Sequence, residues 1–544
     1  MIAASPSKRK RLGAYQTPAP LARFLVDWAT RSMGDRILEP ACGEAVFLEA
    51  VVNRLQALGG TPDCAQVVGY ELEPEAAARA RQLVPNASVI QGDFFTQDPP
   101  RQAFDAVVGN PPYVRYHYFA GPARQRGLAR ARASGVNLTR LASSWAPFII
   151  HAAAFLHPLG RLALVLPGEL LSTDYAAAVR QYLVRRFASI DVITFEARVF
   201  PEAMVDAVLL LAEGQGPGDL RILRLSDTGE LRGFVMNGGA VGTPHAPHKW
   251  TEGLLSADSA EALSSATAVM CRLGEVATVD IGIVTGANAF FVLSEVEVQS
   301  RELPPDVLRP IVARSTQIRG SDFKPETWEE QRRAGAPVWL FSPRTETEAA
   351  GRYIAWGARH GVSAAYKCRV RRPWWKIKLP QPPDLLLSYM SHVAPRLMVN
   401  SARVLTTNLI HNVRLRQSML DDTPAARLLA LSWNNSATLL SCEVAGRAYG
   451  GGVLKLETRE AERVLMPRLE PAQADALLQQ APTIDAALQA GNIEAAADLI
   501  DPIVLATLKP AQRLALRSGW ADLRARRKRR SVPARSARRR PFIP

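Results

Sequence analysis

Over the first 213 residues, short apolar runs alternate with stretches whose apolar positions recur at helical spacing. The runs Arg36–Leu38, Val67–Glu71, Ser88–Gln91, Ala106–Gly109, Leu162–Leu166 and Ile190–Thr194 predict buried strands. Between most of them, Ala45–Leu58, Pro74–Leu83, Trp145–Leu156 and Tyr175–Phe187 predict helices. This alternation predicts an α/β fold, a mostly parallel sheet covered on both faces. A last apolar run, Ala207–Ala212, follows Ile190–Thr194 without room for a helix and predicts a late antiparallel strand. In such sheets ligands bind beyond the carboxyl ends of the strands, so the loops there should carry the chemistry.

The texture changes after Gly214-Gln-Gly-Pro-Gly218, and Asn237–His248 is again rich in turn formers. From about Trp250 to Pro467 short strands and irregular loops are expected, an α+β pattern with recurring Trp, Tyr and Arg. The segment Asn400–Arg414 alternates like scaffold strand. Polar, alanine-rich helices follow at Pro471–Gln480, Ile484–Leu499 and Pro510–Arg527. The stretch Arg524–Arg540 is largely arginine without apolar partners and reads as disordered when free. The expected division is therefore 1–215, a linker 216–250, 251–470, and a helical, basic segment 471–544.

Composition sharpens this picture at three points. The apolar runs are strand-sized and too short to cross a bilayer, and no apolar signal core follows the basic start, so a cytoplasmic setting with no membrane partner is expected. The five cysteines are scattered without a C-x-x-C pair, which suggests reduced thiols and no metal site. The formal net charge of +15 over 544 residues is an electrostatic footprint for a polyanion, most commonly nucleic acid. A genome that simply favours arginine is the competing explanation of the excess.

The candidate chemistry sits where the strands end. The first strand runs into Glu39-Pro-Ala-Cys-Gly-Glu-Ala-Val-Phe47, where glycine lets backbone approach a ligand. The second ends in Gly69-Tyr-Glu71, whose acid is placed for ribose hydroxyls. The third ends in Gly92-Asp-Phe-Phe95, where Asp93 can accept from an adenine amino group and Phe94 can pack on the ring. No phosphate-cradling G-x-x-x-x-G-K-[ST] loop is present, so a nucleoside ligand need not carry phosphates. The most specific motif follows the fourth strand: Asp105-Ala-Val-Val-Gly-Asn-Pro-Pro-Tyr113. Asn110 Oδ1 and the Pro111 carbonyl can each accept one N–H of a planar amine, proline fixes the backbone so both converge, and Tyr113 offers a face for an extruded base. A rigid turn alone would also explain Asn-Pro-Pro. Near the N-terminus, Thr17-Pro18 reads as a helix N-cap with a first-turn proline.

Taken in order, Gly13-Ala-Tyr-Gln-Thr-Pro18, Glu39-Pro-Ala-Cys-Gly43, Gly69-Tyr-Glu71, Gly92-Asp-Phe94 and Asn110-Pro-Pro-Tyr113 resemble the motif series of the TaqI-type, gamma-class adenine-N6 DNA methyltransferases. The resemblance covers roughly residues 10–213. It implies a Rossmann-like methyltransferase sheet for 1–215, a target-recognition domain for 251–470, S-adenosylmethionine as cofactor and double-stranded DNA as partner. A separately encoded restriction endonuclease is the further partner it suggests. By this likeness Thr17, Glu39, Ala41, Gly43, Glu71, Asp93, Phe94 and Pro111 line the cofactor site, with Phe148 closing over the adenine. Asn110, Pro111, Pro112 and Tyr113 hold the target base, and Phe200 falls where the family places a second stacking aromatic. One departure stands out: members often carry a second glycine where this chain has Ala45.

In the second half, Arg314-Ser-Thr-Gln-Ile-Arg319 and Lys367-Cys-Arg-Val-Arg-Arg-Pro-Trp-Trp-Lys376 interleave cations with aromatics or polar groups. Arg314, Arg319, Arg371, Arg372 and Lys376 are the candidates for DNA contact, with one of Trp374 and Trp375 expected in the core. Other substrates presenting a planar NH2, such as ribosomal RNA, N4 of cytosine or a protein glutamine amide, suit the same motif. The large second half argues for DNA. The absence of any E-x-K triplet counts against a fused nuclease, and a non-catalytic DNA-binding subunit would leave the pocket motif without purpose.

Overall fold

The computed structural model describes residues 16–100, 103–196, 207–232, 249–416, 424–449 and 451–529. The chain divides into two compact units, Met1–Ala257 with Lys528–Pro544, and Asp258–Arg527.

The first unit is the expected α/β sheet. Its strands are β1 (Ile37–Glu39), β2 (Val67–Glu71), β3 (Ser88–Gln91), β4 (Phe104–Gly109), β5 (Leu156–Pro167), β6 (Ser189–Phe195), β7 (Ala207–Glu213) and β8 (Asp219–Leu225), in the spatial order 3-2-1-4-5-7-6-8. Among these, β7 alone runs against its neighbours, inserted between β5 and β6. The late antiparallel strand thus lies where the missing helix said it would. Helices α1 (Ala19–Ala29), α2 (Val46–Ala57), α3 (Pro74–Leu83), α4 (Gly121–Ala133), α5 (Trp145–Ala153) and α6 (Ala177–Arg186) connect or flank the strands. The buried positions of α1, Leu21, Ala22, Leu25, Val26 and Ala29, form one stripe at helical spacing and join a core with Ile37, Phe47, Val51 and Val108.

Two expectations need correction here. Residues 219–225, read as linker, form β8, parallel to β6. Leu220, Ile222 and Leu223 are buried, and Arg221 donates to both carboxylate oxygens of buried Asp191 at 2.6 Å each. That pair stitches β8 to β6 and explains why an arginine-bearing strand is held in the sheet. The second correction concerns Thr17, which does not cap α1. Pro18 is the cap residue, Leu21 and Ala22 donate to its carbonyl, and the Thr17 hydroxyl is engaged elsewhere.

The second unit is α+β. One antiparallel sheet contains Ala277–Ile281, Ile410–Leu415, Leu385–Ser388 and Leu397–Val399. A second sheet contains Val292–Leu293, Trp339–Phe341, Leu308–Val312 and Leu405–Thr406. Helices Pro471–Gln479, Ala481–Gln489, Ile493–Val504 and Pro510–Arg529 follow. The single helix expected over Ile484–Leu499 is therefore two. Gly491 takes a left-handed φ of 76° and ends the first, and Asn492 caps the second by accepting from Ala495 N. The start of the arginine-rich stretch also departs from expectation: helix continues to Arg529, and Arg526 and Arg527 are buried. Arg527 donates through Nε and Nη2 to the two carboxylate oxygens of Glu443, at 3.1 and 2.7 Å. A partner so distant in sequence gives no local sign of itself. Residues 530–544 lie outside the described residues.

The turn from β1 into α2 carries measurable strain. Gly43 has φ 49°, and Ala45, the cap of α2, has φ 66°. Glycine bears that conformation freely, whereas alanine does not. Ala45→Gly is expected to stabilise this unit by about 1 kcal/mol, raising its thermal midpoint by roughly 2–4 °C. A lower midpoint in a thermal melt would show that the left-handed turn is not a cost.

Candidate active site

The carboxyl ends of β1, β2, β3 and β4 bring Glu39, Glu71, Asp93 and Asn110 to one edge of the sheet. Glu39 is almost wholly buried, and one carboxylate oxygen accepts from Leu48 N at the start of α2, 3.1 Å away. Burial raises its carboxyl well above the usual range, and the Glu71 charge adds to the effect. A buried acid of this kind is relieved by a cationic ligand group. Glu71 accepts from Gly43 N and from Glu73 N, each at 2.8 Å, so the acid at the end of β2 locks the glycine turn of β1. Two of its roughly four lone-pair directions remain after those bonds.

The backbone beside these groups is unobstructed. A Cβ built on Gly43 or on Gly92 would meet nothing within 4 Å, so open space lies next to both turns. Gly109, with φ 149°, brings the backbone of β4 against Glu39, where an added Cβ would lie 3.5 Å from Cγ. Glu71 and Asp93 bring carboxylate acceptors to the ends of β2 and β3. This donor and acceptor set suits an adenosine-bearing, cationic cofactor.

Asp93 is more occupied than its sequence position suggests. Its Oδ1 accepts from Phe95 N at 3.0 Å, and Oδ2 accepts from Arg126 Nη2 and Nε at 2.7 and 3.1 Å. Phe94 is buried at the centre of an aromatic cluster, with ring centroids 5.4 Å from Tyr70, 5.3 Å from Phe148, 4.7 Å from His151 and 4.9 Å from Phe155. Phe148, from α5, also meets Phe95. The structure thus joins Phe94 and Phe148, predicted separately, into one hydrophobic wall behind the turn of β3. His151 was not foreseen. Burial, aided by the Arg130 charge, lowers it to about 4, so it stays neutral while its Nε2 faces the Phe94 carbonyl at 3.2 Å.

The loop after β4 is held from two sides. Asn110 Nδ2 donates to Thr17 Oγ1 at 3.1 Å, which turns the amide oxygen to the opposite side. Ser144, just ahead of α5, donates to the Pro112 carbonyl and accepts from Val114 N at 2.9 Å. Pro111 is buried, Pro112 is half-buried, and Tyr113 is 8% exposed. In sequence, Ser144 looks like an ordinary helix cap, and its hydroxyl instead serves the loop thirty residues earlier. Ala41 is half-buried within the β1 turn. Phe200 and Gly13–Tyr15 of the first motif lie outside the described residues.

In the second unit Arg314, Arg319, Arg372 and Lys376 are exposed. Arg371 is half-buried, and its guanidinium donates to the Thr285 carbonyl at 2.7 Å and to that of Val284. It therefore braces the protein's own loop. Trp375 is buried in the core with Phe290, Phe291 and Tyr353. Among the described residues, no helix is long and apolar enough to cross a membrane.

Known proteins share this architecture. Residues 1–220 match the N-6 DNA Methylase family, and residues 247–505 match the C-terminal domain of the type II methyltransferase M.Eco57I. Type II methyltransferase M.XamI of Xanthomonas campestris pv. amaranthicola is 26% identical over 483 residues, covering 85% of this chain and 86% of the relative. M.AccI of Acinetobacter calcoaceticus is 21% identical over 84% of this chain and 86% of its own length. M.TthHB8I of Thermus thermophilus is 31% identical over 38% of this chain and 46% of its own. Among solved structures, the type IIL restriction-modification enzyme MmeI in complex with DNA has the same fold. Its TM-score is 0.59 at 13% identity, covering 96% of this chain and 80% of that one.

The His151 shift has a pH consequence. Its folded value of about 4 lies below its ordinary 6.5. The folded state resists protonation, so stability is full above pH 6.5 and falls as pH drops through that window. His151→Phe is expected to flatten the stability curve between pH 6.5 and 4 in denaturant titrations. An unchanged slope would mean that His151 already titrates normally.

Proposed function

We propose that this chain, which belongs to the N-6 DNA methylase family and carries a C-terminal domain like that of type II methyltransferase M.Eco57I, methylates N6 of an adenine extruded from duplex DNA. The coarser statement is not in question: it is a DNA methyltransferase of the type II restriction-modification kind. What supports the finer reading is the Asn110-Pro-Pro-Tyr113 loop, held by Thr17 and Ser144 at the same edge of the sheet as the open turn at Gly43.

S-adenosylmethionine, when bound, supplies an electrophilic methyl on a sulfonium. Glu71 takes the ribose hydroxyls, and Asp93, steadied by Arg126, accepts from the cofactor's adenine amine. Phe94 and Phe148 form the apolar wall behind that ring. Glu39, a buried acid, faces the cationic part of the ligand.

At the target base Asn110 Oδ1 and the Pro111 carbonyl each accept one N–H. Two such acceptors draw the amine out of conjugation, so its lone pair points at the methyl instead of into the ring. Thr17 decides which end of the Asn110 amide faces the base, because the hydroxyl accepts from Nδ2. Positioning supplies most of the acceleration, since displacement at a sulfonium needs alignment more than a strong base. After transfer the amine releases one proton to water. Tyr113, with Phe200 opposite, stacks on the extruded ring. Arg314, Arg319, Arg372 and Lys376 contact DNA from the second unit, and a separately encoded restriction endonuclease acts on the same site.

Two experiments test this. Asn110→Ala should lower methyl transfer from labelled S-adenosylmethionine to duplex DNA by two or more orders of magnitude, roughly the loss seen when one preorganised partner of a developing charge is removed. Cofactor binding should stay intact, and a normal rate would end the proposed mechanism. Glu71→Ala should weaken cofactor affinity at least about tenfold, the equivalent of one good charge-assisted hydrogen bond. Unchanged affinity in calorimetry would remove Glu71 from the ribose role.

A further inference from the structure

Between Asp105 and Glu169 the sequence contains no acidic residue, yet six arginines fall between Arg115 and Arg140. This stretch begins directly after Tyr113. Two of its arginines are bound to the protein's own acids: Arg126 to Asp93, and Arg130 to Asp98 and to the Phe95 carbonyl at 2.9 Å. They lie one turn apart on α4, each directly before one of its buried positions, Gly127 and Ala131. Arg124 and Arg132 project from other faces of the helix, and Arg115 and Arg140 stand outside it. Among the described residues none of these four forms an ion pair, and Arg115, Arg132 and Arg140 are exposed.

The segment is a built platform and not a loose loop. Tyr118 N and Phe119 N both donate to the Arg115 carbonyl at 2.9 Å. Buried Phe119 packs toward Phe95 with centroids 6.3 Å apart, and Gly127 leaves room for both rings, each 3.2 Å from where a Cβ would stand. With Phe119 turned in, its neighbours are turned out: Tyr116 is 44% and Tyr118 58% exposed. His117 lies between them, 5.1 and 4.4 Å from their ring centroids. Exposed guanidinium groups free of ion pairs, in the same segment as outward aromatic faces and in a stretch of sequence without acids, suit a ligand that combines phosphates with bases.

We propose that residues 115–140 form a second DNA-contacting surface, on the catalytic unit itself, in which Arg115, Arg132 and Arg140 hold phosphates near the extruded adenine and Tyr116 and Tyr118 meet the bases. This rests on the proposed function and deepens it. The surface holds the duplex at the loop where the amine must arrive, independently of the sequence-reading residues of the second unit.

The test is a salt titration of binding to a short fluorescent duplex of arbitrary sequence, with full-length protein. The variant Arg115→Ala/Arg132→Ala/Arg140→Ala should flatten the slope of log K against log salt by about 2–3, near 0.9 per lost phosphate contact. Its calorimetric affinity for S-adenosylmethionine should be unchanged. The corresponding triple lysine variant should keep the wild-type slope. Tyr116→Ala/Tyr118→Ala should bind DNA roughly tenfold more weakly at unchanged slope. Wild-type slope in the alanine triple, or equal loss in the lysine triple, overturns the assignment. A wild-type protein that methylates DNA while the alanine triple binds normally defeats this surface alone, whereas a wild-type protein inactive on DNA defeats the functional reading beneath it.

Discussion

The hydrogen bond from Asn110 Nδ2 to Thr17 Oγ1 is the constraint on which the rest depends. An amide side chain has a donating and an accepting end of nearly equal size, and only one of them can serve an amine. Thr17 takes the donating end. Ser144 fixes the adjoining backbone through Pro112 and Val114, and the two prolines remove most of the freedom that remains. The loop therefore does not need the substrate to organise it. That suits the proposed transfer, whose barrier would fall mainly through alignment.

Around this point the sheet gathers parts that are far apart in sequence. Glu71 ties the end of β2 to the glycine turn of β1, and Glu39 ties β1 to the first turn of α2. Arg126 and Arg130 reach back from α4 to the loop after β3, so the wall formed by Phe94 and Phe148 is braced by charge as well as packing. These cations serve the fold. Arg371 in the second unit does likewise, which shows that a basic, aromatic-rich run in sequence mixes arginines of two kinds: those bound to the protein's own oxygens, and those left facing solvent. Only the second kind is available to a polyanion.

Much of the catalytic unit was legible because its signals are local. Val67–Glu71, Pro74–Leu83 and Ser88–Gln91 begin and end where periodicity and turn residues place them, and Asn110-Pro-Pro-Tyr113 follows β4 directly, as its position in the sequence implied. What escaped was long-range. The strand Asp219–Leu225 fell in the stretch read as linker, and the pairing of Arg221 with Asp191 that holds it is long-range; the start of Arg524–Arg540, read as free tail, is instead helix anchored on Glu443. Thr17 resembled a helix cap and Ser144 drew no notice, since a hydroxyl before a helix carries no mark of the distant loop it serves. His151 was hidden inside an apolar helix, and the strain at Ala45 was visible only as a missing glycine.

The most direct measurement of the central claim is chemical. Duplex DNA incubated with the protein and S-adenosylmethionine can be digested to nucleosides and analysed by mass spectrometry. The loop that Thr17 and Ser144 hold should yield N6-methyladenosine in its deoxy form as the modified nucleoside. N4-methylated cytosine, or DNA left unmodified while the cofactor binds normally, would contradict the account.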